Sequence, residues 1–198
     1  VDDNFVFTLR FVDDHLASTF TYRPGQFMML SVPGTGEAPI SISSSPSRPG
    51  VLELCVRRVG RVTNALYRMQ TNSLVGLRGP YGNGFPVETM AANDLLIVAG
   101  GLGMAPLRSL LWYALDNRDE FRNVTLMYGV KSPPQMLFRE ELASLVDRDD
   151  LKCLLTVDSD PSGNWKHHIA LLPKMFDHAS ITPATTYAAV CGPPVVYK

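Results

Sequence analysis

Two short stretches hold the residues on which chemistry would rest. One is VAGGLGMAPLRSL, Val98 to Leu110, and the other is AVCGPP, which ends at Pro194. In each, glycine closely follows a run of apolar residues. Glycine admits backbone angles closed to other residues and lets the main chain come close to a ligand. A helix beginning right after such a turn aims unpaired amides at an anion. Gly101, Leu102, Gly103, Met104, Ala105 and Pro106 therefore form a candidate cradle for the pyrophosphate of a dinucleotide. The spacing is Gly-x-Gly-x-x-Pro, with Pro106 where the dinucleotide fingerprint has its third glycine. Pro106 suits the first turn of a helix, where no amide hydrogen bond is lost. A plain strand–turn–helix corner would read the same, and a lone Gly-x-Gly would favour it. The second turn, Cys191, Gly192 and Pro193, shifts the balance, because ligands of an open parallel sheet lie at the carboxyl ends of its strands.

The elements that must position these turns fall into two grammars. Up to about residue 90 the chain alternates apolar and polar residues in short runs: Phe5–Phe11, Gln26–Val32, Ile40–Ser45 and Val51–Arg58. Pro/Gly turns separate them, which predicts a small antiparallel barrel. One helix interrupts it, TNALYRMQ, with Thr63 as N-cap. After a seam near Thr89–Asn93 the order becomes strand, helix, strand, helix. Strands are expected at LLIVAGG, NVTLMYG, LKCLLTVD and TTYAAVCG, with helices at Ala105–Asn117, Gln135–Val146, Ile169–Phe176 and from Pro193. That alternation predicts a parallel sheet covered on both faces. The expectation is a two-domain β + α/β protein, with an antiparallel barrel in 1–90 and a parallel-sheet α/β domain in 91–198.

Composition narrows the partners. The 198 residues are 45% hydrophobic and 19% charged, enough for packed cores. A net charge of -1 offers no basic field for nucleic acid or an anionic membrane surface. No apolar run is long enough to insert in a bilayer. Cys55, Cys153 and Cys191 are too scattered for a zinc or iron–sulfur site within these residues or for a disulfide framework, which points to a reducing, cytoplasmic setting. The chain opens without Met on a strand and ends on what reads as the first turn of a helix, so both ends are expected to be trimmed.

GGLGMAP and CGPP, in that order behind a β-rich half with RPGQF, resemble the ferredoxin–NADP reductase superfamily. GEAPISISSSP, VRRVGRVTNAL and GPYGNGFP are similar to one subgroup: sulfhydrogenase gamma subunits, the corresponding component of anaerobic sulfite reductase, and the electron-transfer subunit of dihydroorotate dehydrogenase. The resemblance covers essentially the whole chain. It implies an FAD-binding barrel and an NAD(P)-binding domain that meet at a cleft where nicotinamide faces flavin.

The resemblance also implies site residues. Where the superfamily has Arg-x-Tyr-Ser, this chain has Ala38, Pro39, Ile40 and Ser41, followed by Ile42. Ser41 keeps the hydroxyl expected near flavin N5, although a solvent-facing serine is the plain alternative. With the arginine replaced by Ala38 and the stacking tyrosine by Ile40, the pyrophosphate must lean on other donors. Candidates are the amides of Gly60, Val62 and Thr63, with Arg57 or Arg58 adding a charge-assisted bond. Arg23, Pro24, Gly25 and Gln26 would turn a strand toward the cofactor, and Tyr81 and Phe85 are candidate flavin neighbours. Cys191, Gly192 and Pro193 are expected near the nicotinamide, with the cysteine orienting the ring rather than attacking it. A buried core cysteine is the alternative. For the ribose 2′ position, Lys131 and Ser132 stand against Asp158 and Asp160, and two acids against one lysine favour NADH over NADPH.

The implied activity is an NAD(P)H-dependent flavoprotein oxidoreductase working as an electron-transfer subunit. Electrons would pass through FAD to a 2Fe–2S cluster held outside these residues, and on to a partner redox subunit of hydrogenase, sulfite reductase or dehydrogenase type. A stand-alone flavin or ferredoxin reductase, and a non-catalytic module with a degenerate flavin site, are the alternatives.

Overall fold

The computed structural model describes residues 3–197. The N-terminal part holds β1 (Asn4–Leu9), helix α1 (Asp14–Thr19), β2 (Phe27–Val32), β3 (Gly36–Ser41), β4 (Leu52–Arg57), helix α2 (Arg61–Arg68) and β5 (Gly76–Tyr81). All the pairings here are antiparallel: β1 with β4, and β3–β2–β5 as a second sheet. A bridge between Ile42 and Leu54 joins the two sheets around a core of Met28, Leu30, Ile42, Leu54 and Leu66.

The strand expected to run through Ile40–Ser45 stops at Ser41. Ser43, Ser44 and Ser45 are all buried, which no alternating strand allows. Their hydroxyls find partners instead: Ser43 accepts from the Cys55 amide, Ser44 from the Glu53 amide, and Ser45 pairs with Ser47. Thr63 is not the N-cap of α2. Gly60 holds that place, and the Thr63 hydroxyl reaches back to accept the amides of Val59 and Gly60.

The second part opens on helix α3 (Val87–Met90) and continues with β6 (Asp94–Gly100), a short 3-10 turn at Gly101–Gly103, and helix α4 (Met104–Asp116). β7 (Val124–Val130), helix α5 (Arg139–Val146), β8 (Lys152–Val157), β9 (His168–Ile169) and β10 (Thr186–Cys191) complete it. The sheet order is β10-β6-β7-β8-β9, with every pairing parallel. Successive residues of β6 serve different layers: Leu95, Ile97 and Ala99 pack with α4, while Leu96 and Val98 meet Leu172, Met175 and Val196 on the other face. A strand buried on both faces is apolar along most of its length, as β6 is beyond Asp94 and β7 is apart from Thr125.

Three helices differ from expectation. α5 begins only at Arg139, because Pro133 and Pro134 precede it and Phe138 sits in the left-handed region at φ 52°. The Ile169–Phe176 segment gives a short strand and then a 3-10 helix at Leu172–His178, where Pro173 lacks an amide donor. Beyond β10 the chain makes a 3-10 turn at Pro194–Tyr197. Among the described residues no helix is long and apolar enough to cross a membrane.

Register brings the two glycine turns together. Ala99 on β6 lies beside Cys191 on β10, so both turns leave the same end of the sheet. Their backbones then interlock. A Cβ on Gly103 would collide with the Cys191 carbonyl group, and one on Gly192 would stand 3.0 Å from Gly100 Cα. Gly101, at φ +54°, has open space instead. Gly103→Ala is therefore expected to cost at least about 3 kcal/mol through backbone overpacking, against about 1–2 kcal/mol of conformational strain for Gly101→Ala. Urea denaturation midpoints check this, and equal losses would contradict it.

Candidate functional site

A cavity of about 460 Å³ lies between the two parts. One wall is β3, presenting Ala38, Pro39, Ile40 and Ser41. The floor is Cys55, Val56 and Arg57 of β4, continuing through Val59 and Gly60 into Arg61, Val62 and Thr63 of α2. The opposite wall is the start of α4 with its preceding turn: Leu102, Ala105 and Pro106. Residues some sixty positions apart in sequence thus face one space.

The donors around it share one sign. Arg57 and Arg61 are exposed, line the cavity and make no ion pair among the described residues. Among the described residues no carboxylate lines it. The first-turn amides of α2 have no partner within the helix, apart from whatever binds there. Gly60 is the exception, since its amide is held by Thr63. Arg58, the other candidate, is engaged elsewhere, 3.6 Å from Asp3 and stacked over Tyr67 at 4.6 Å. Ser41 is half-buried at the end of β3, and its hydroxyl has no protein partner among the described residues. The Cys55 thiol is pushed up to about 11 by burial, so it remains protonated and packs as an apolar group against Ala105 and Leu137.

Other expected residues lie apart from this cavity. The Arg23–Gln26 turn folds onto residues 82–88. Arg23 pairs with Glu88 at 2.7 Å, the Pro24 carbonyl accepts the Phe85 amide, Gly25 packs on the Phe85 ring, and the Gln26 side-chain amide donates to the Gly82 carbonyl. Tyr81 pairs with Phe27 at 5.8 Å and accepts from Arg78. The Ile42 side chain is wholly buried in the barrel core. Met104 is also fully buried, and Gly103 packs on the Cys191–Gly192 backbone, so of the glycine turn it is Gly101 and Leu102 that stand free. Cys191 and Gly192 are half-buried beside that turn and Pro193 is exposed, all outside the cavity lining. Burial also raises the Cys191 thiol, which does not favour a thiolate. Asp158 is exposed at the end of β8, next to Lys131, because Val130 pairs with Val157. Asp160 is consumed by its own loop, accepting from Ser162 and from the Trp165 amide.

Residues 3–85 match the oxidoreductase FAD-binding domain and residues 97–198 the oxidoreductase NAD-binding domain. The chain belongs to the oxidoreductases that carry an FAD-binding and an NAD-binding domain. It is 43% identical to the sulfhydrogenase 1 gamma subunit of Pyrococcus furiosus, over 98% of this chain and 66% of that protein. It is 30% identical to a probable dihydroorotate dehydrogenase B electron transfer subunit of the same organism, over 75% of this chain and 53% of that one. It thus spans about two thirds or less of these relatives. The cytochrome b5 reductase domain of Ulva prolifera nitrate reductase shares the fold, with TM-score 0.80 at 19% identity over 99% of this chain and 84% of that one.

Arg61 is a charged cavity-lining residue that the sequence alone does not single out. It sits one residue beyond the glycine that caps α2, and its direction depends on how that helix is set against β3: Arg61 Nη2 would be 3.3 Å from a Cβ on Gly36. Arg57→Ala and Arg61→Ala are each expected to weaken FAD binding about tenfold, the value of one charge-assisted hydrogen bond, and to leave riboflavin binding unchanged. Flavin fluorescence titrations check this, and equal loss of both ligands would contradict it.

Proposed function

We propose that this chain is the flavin-bearing part of an electron-transfer subunit, moving electrons between NAD(P)H and a partner redox subunit. The observation carrying this reading is the shared cavity, whose walls come from both the FAD-binding and the NAD-binding part. Its donor set, among the described residues, fits a dinucleotide: amides and two arginines without a carboxylate for the pyrophosphate, and a hydroxyl at Ser41 with no protein partner. When bound, flavin accepts a hydride from NAD(P)H and releases electrons singly.

In this reading Arg57, Arg61 and the α2 amides hold the pyrophosphate and set the cofactor's register. Pro39, Ile40 and Val59 shield one side of the cavity from water. Ser41 Oγ donates a hydrogen bond and holds a proton at the reacting edge of the ring. Gly101 and Leu102 offer the turn against which the nucleotide lies, with the Cys191–Gly192 backbone fixing its position. Lys131 and Asp158, side by side at the sheet end, choose between a ribose phosphate and a ribose hydroxyl. The sulfhydrogenase gamma and dihydroorotate dehydrogenase relatives are subunits of larger enzymes, which supports a partner subunit as the destination. A 2Fe–2S cluster outside these residues is the proposed intermediate carrier.

Anaerobic absorbance spectra before and after NADH, and separately NADPH, test the reading. Flavin bands bleached by one nucleotide are expected. A protein that binds no flavin would contradict it. Ser41→Ala should slow flavin reduction roughly tenfold, the worth of one hydrogen bond of about 1.4 kcal/mol, with nucleotide affinity unchanged. Equal loss of rate and affinity would remove Ser41 from the reacting edge.

A further inference from the structure

Helix α4 buries one cation. Arg108 is 8% exposed and lies one turn beyond Ala105, which lines the cavity. One of its terminal nitrogens, Nη1, serves the barrel: it donates to the Ser43 carbonyl at 3.0 Å and to the Glu53 carboxylate at 2.7 Å. Its Nε and Nη2 serve Glu141 of α5, at 2.9 and 2.7 Å. Its guanidinium also lies over the Phe138 ring at 4.7 Å. Ser43 is two residues beyond Ser41, and Glu53 is two residues before Cys55. The same cation is therefore tied to β4 and to the segment that follows β3, and it rides on the helix that makes the facing wall.

We propose that Arg108 is a positioning residue: its bonds to Ser43 and Glu53 set the spacing across the cavity between Ser41 and the first turn of α4, and so the distance at which nicotinamide meets flavin. This rests on the reductase reading above. Hydride transfer needs donor and acceptor within about 3–3.5 Å, and a displacement of 1 Å costs on the order of a hundredfold in rate. A planar fork with donors on three nitrogens can hold a carbonyl and two carboxylates in fixed directions at once. A lysine ammonium keeps the charge but cannot span those partners. A second pair, Arg48 with Asp116, also joins the two parts, but Arg48 is 48% exposed at the rim. Solvent screens such a pair, and it constrains the spacing weakly.

The test uses the flavin-loaded protein in anaerobic stopped flow, with the nucleotide that reduces the wild type. Arg108→Lys is expected to lower the limiting rate of flavin reduction about tenfold or more. It should leave flavin content and nucleotide dissociation constant within about twofold, and weaken the long-wavelength charge-transfer absorbance of stacked nicotinamide and flavin. Glu53→Gln should show the same pattern, less severely, and serves as the test if Arg108→Lys does not fold. Arg48→Gln should stay within about twofold of wild type. An unchanged limiting rate in Arg108→Lys overturns the proposal. So does a rate loss matched by lost nucleotide affinity, or an equal loss in Arg48→Gln. A wild type reduced by neither nucleotide overturns the reductase reading itself, and the positioning role with it.

Discussion

A guanidinium buried where two lobes meet must have its donors partnered, and here the partners come from both lobes. Glu53 and the Ser43 carbonyl belong to the barrel, while Glu141 belongs to the α/β part. Burial alone would lower the proton affinity of Arg108, but the two carboxylates outweigh it, and its pKa lies above the ordinary value. Removing one member of such a cluster leaves an uncompensated buried charge, at a cost of about 3–5 kcal/mol. Around the cluster, Cys55 packs on Ala105 and Leu137, and the Trp112 ring nitrogen donates to Glu141. The lobes are thereby held in one relation, and the cavity between them has a fixed width.

The same junction reaches the glycine turn. Tyr128, fully buried on β7, donates its hydroxyl to the Gly101 carbonyl and accepts the Leu137 amide. Burial raises its pKa, so the phenol remains a donor across the working pH range. Leu137 leads into Phe138, whose left-handed backbone costs on the order of 1–3 kcal/mol and whose ring lies over Arg108. A phenol, a strained aromatic and a guanidinium thus connect the turn that would meet a nucleotide with the strand that bears Ser41.

Much of this was legible in the sequence, for physical reasons. Period-two alternation and the strand–helix alternation each reflect burial on one face or two, so the change of grammar near residue 90 was readable. The glycine turns were readable because few other residues tolerate such corners. Their individual roles were not. Gly103 and Met104 looked like ligand-facing residues, yet one packs on the Cys191 backbone and the other is core, because only the β6–β10 register decides which residue faces which neighbour. Thr63 is not the N-cap that its residue type suggests but the third residue of α2, since a hydroxyl can also cap from within the first turn. Arg61 and Arg108 carried no local signal at all. Their importance comes from partners far away in the chain.

The most direct measurement of whether one ligand spans both lobes is amide hydrogen exchange of the wild-type protein with and without FAD. Protection is expected to be gained together in residues 38–41, in 57–63 and in 101–106, because one ligand would occupy a cavity walled by all three segments. Protection confined to the barrel segments, or appearing around Arg23–Gln26 and Tyr81 without 101–106, would contradict this and move the flavin away from the shared cavity.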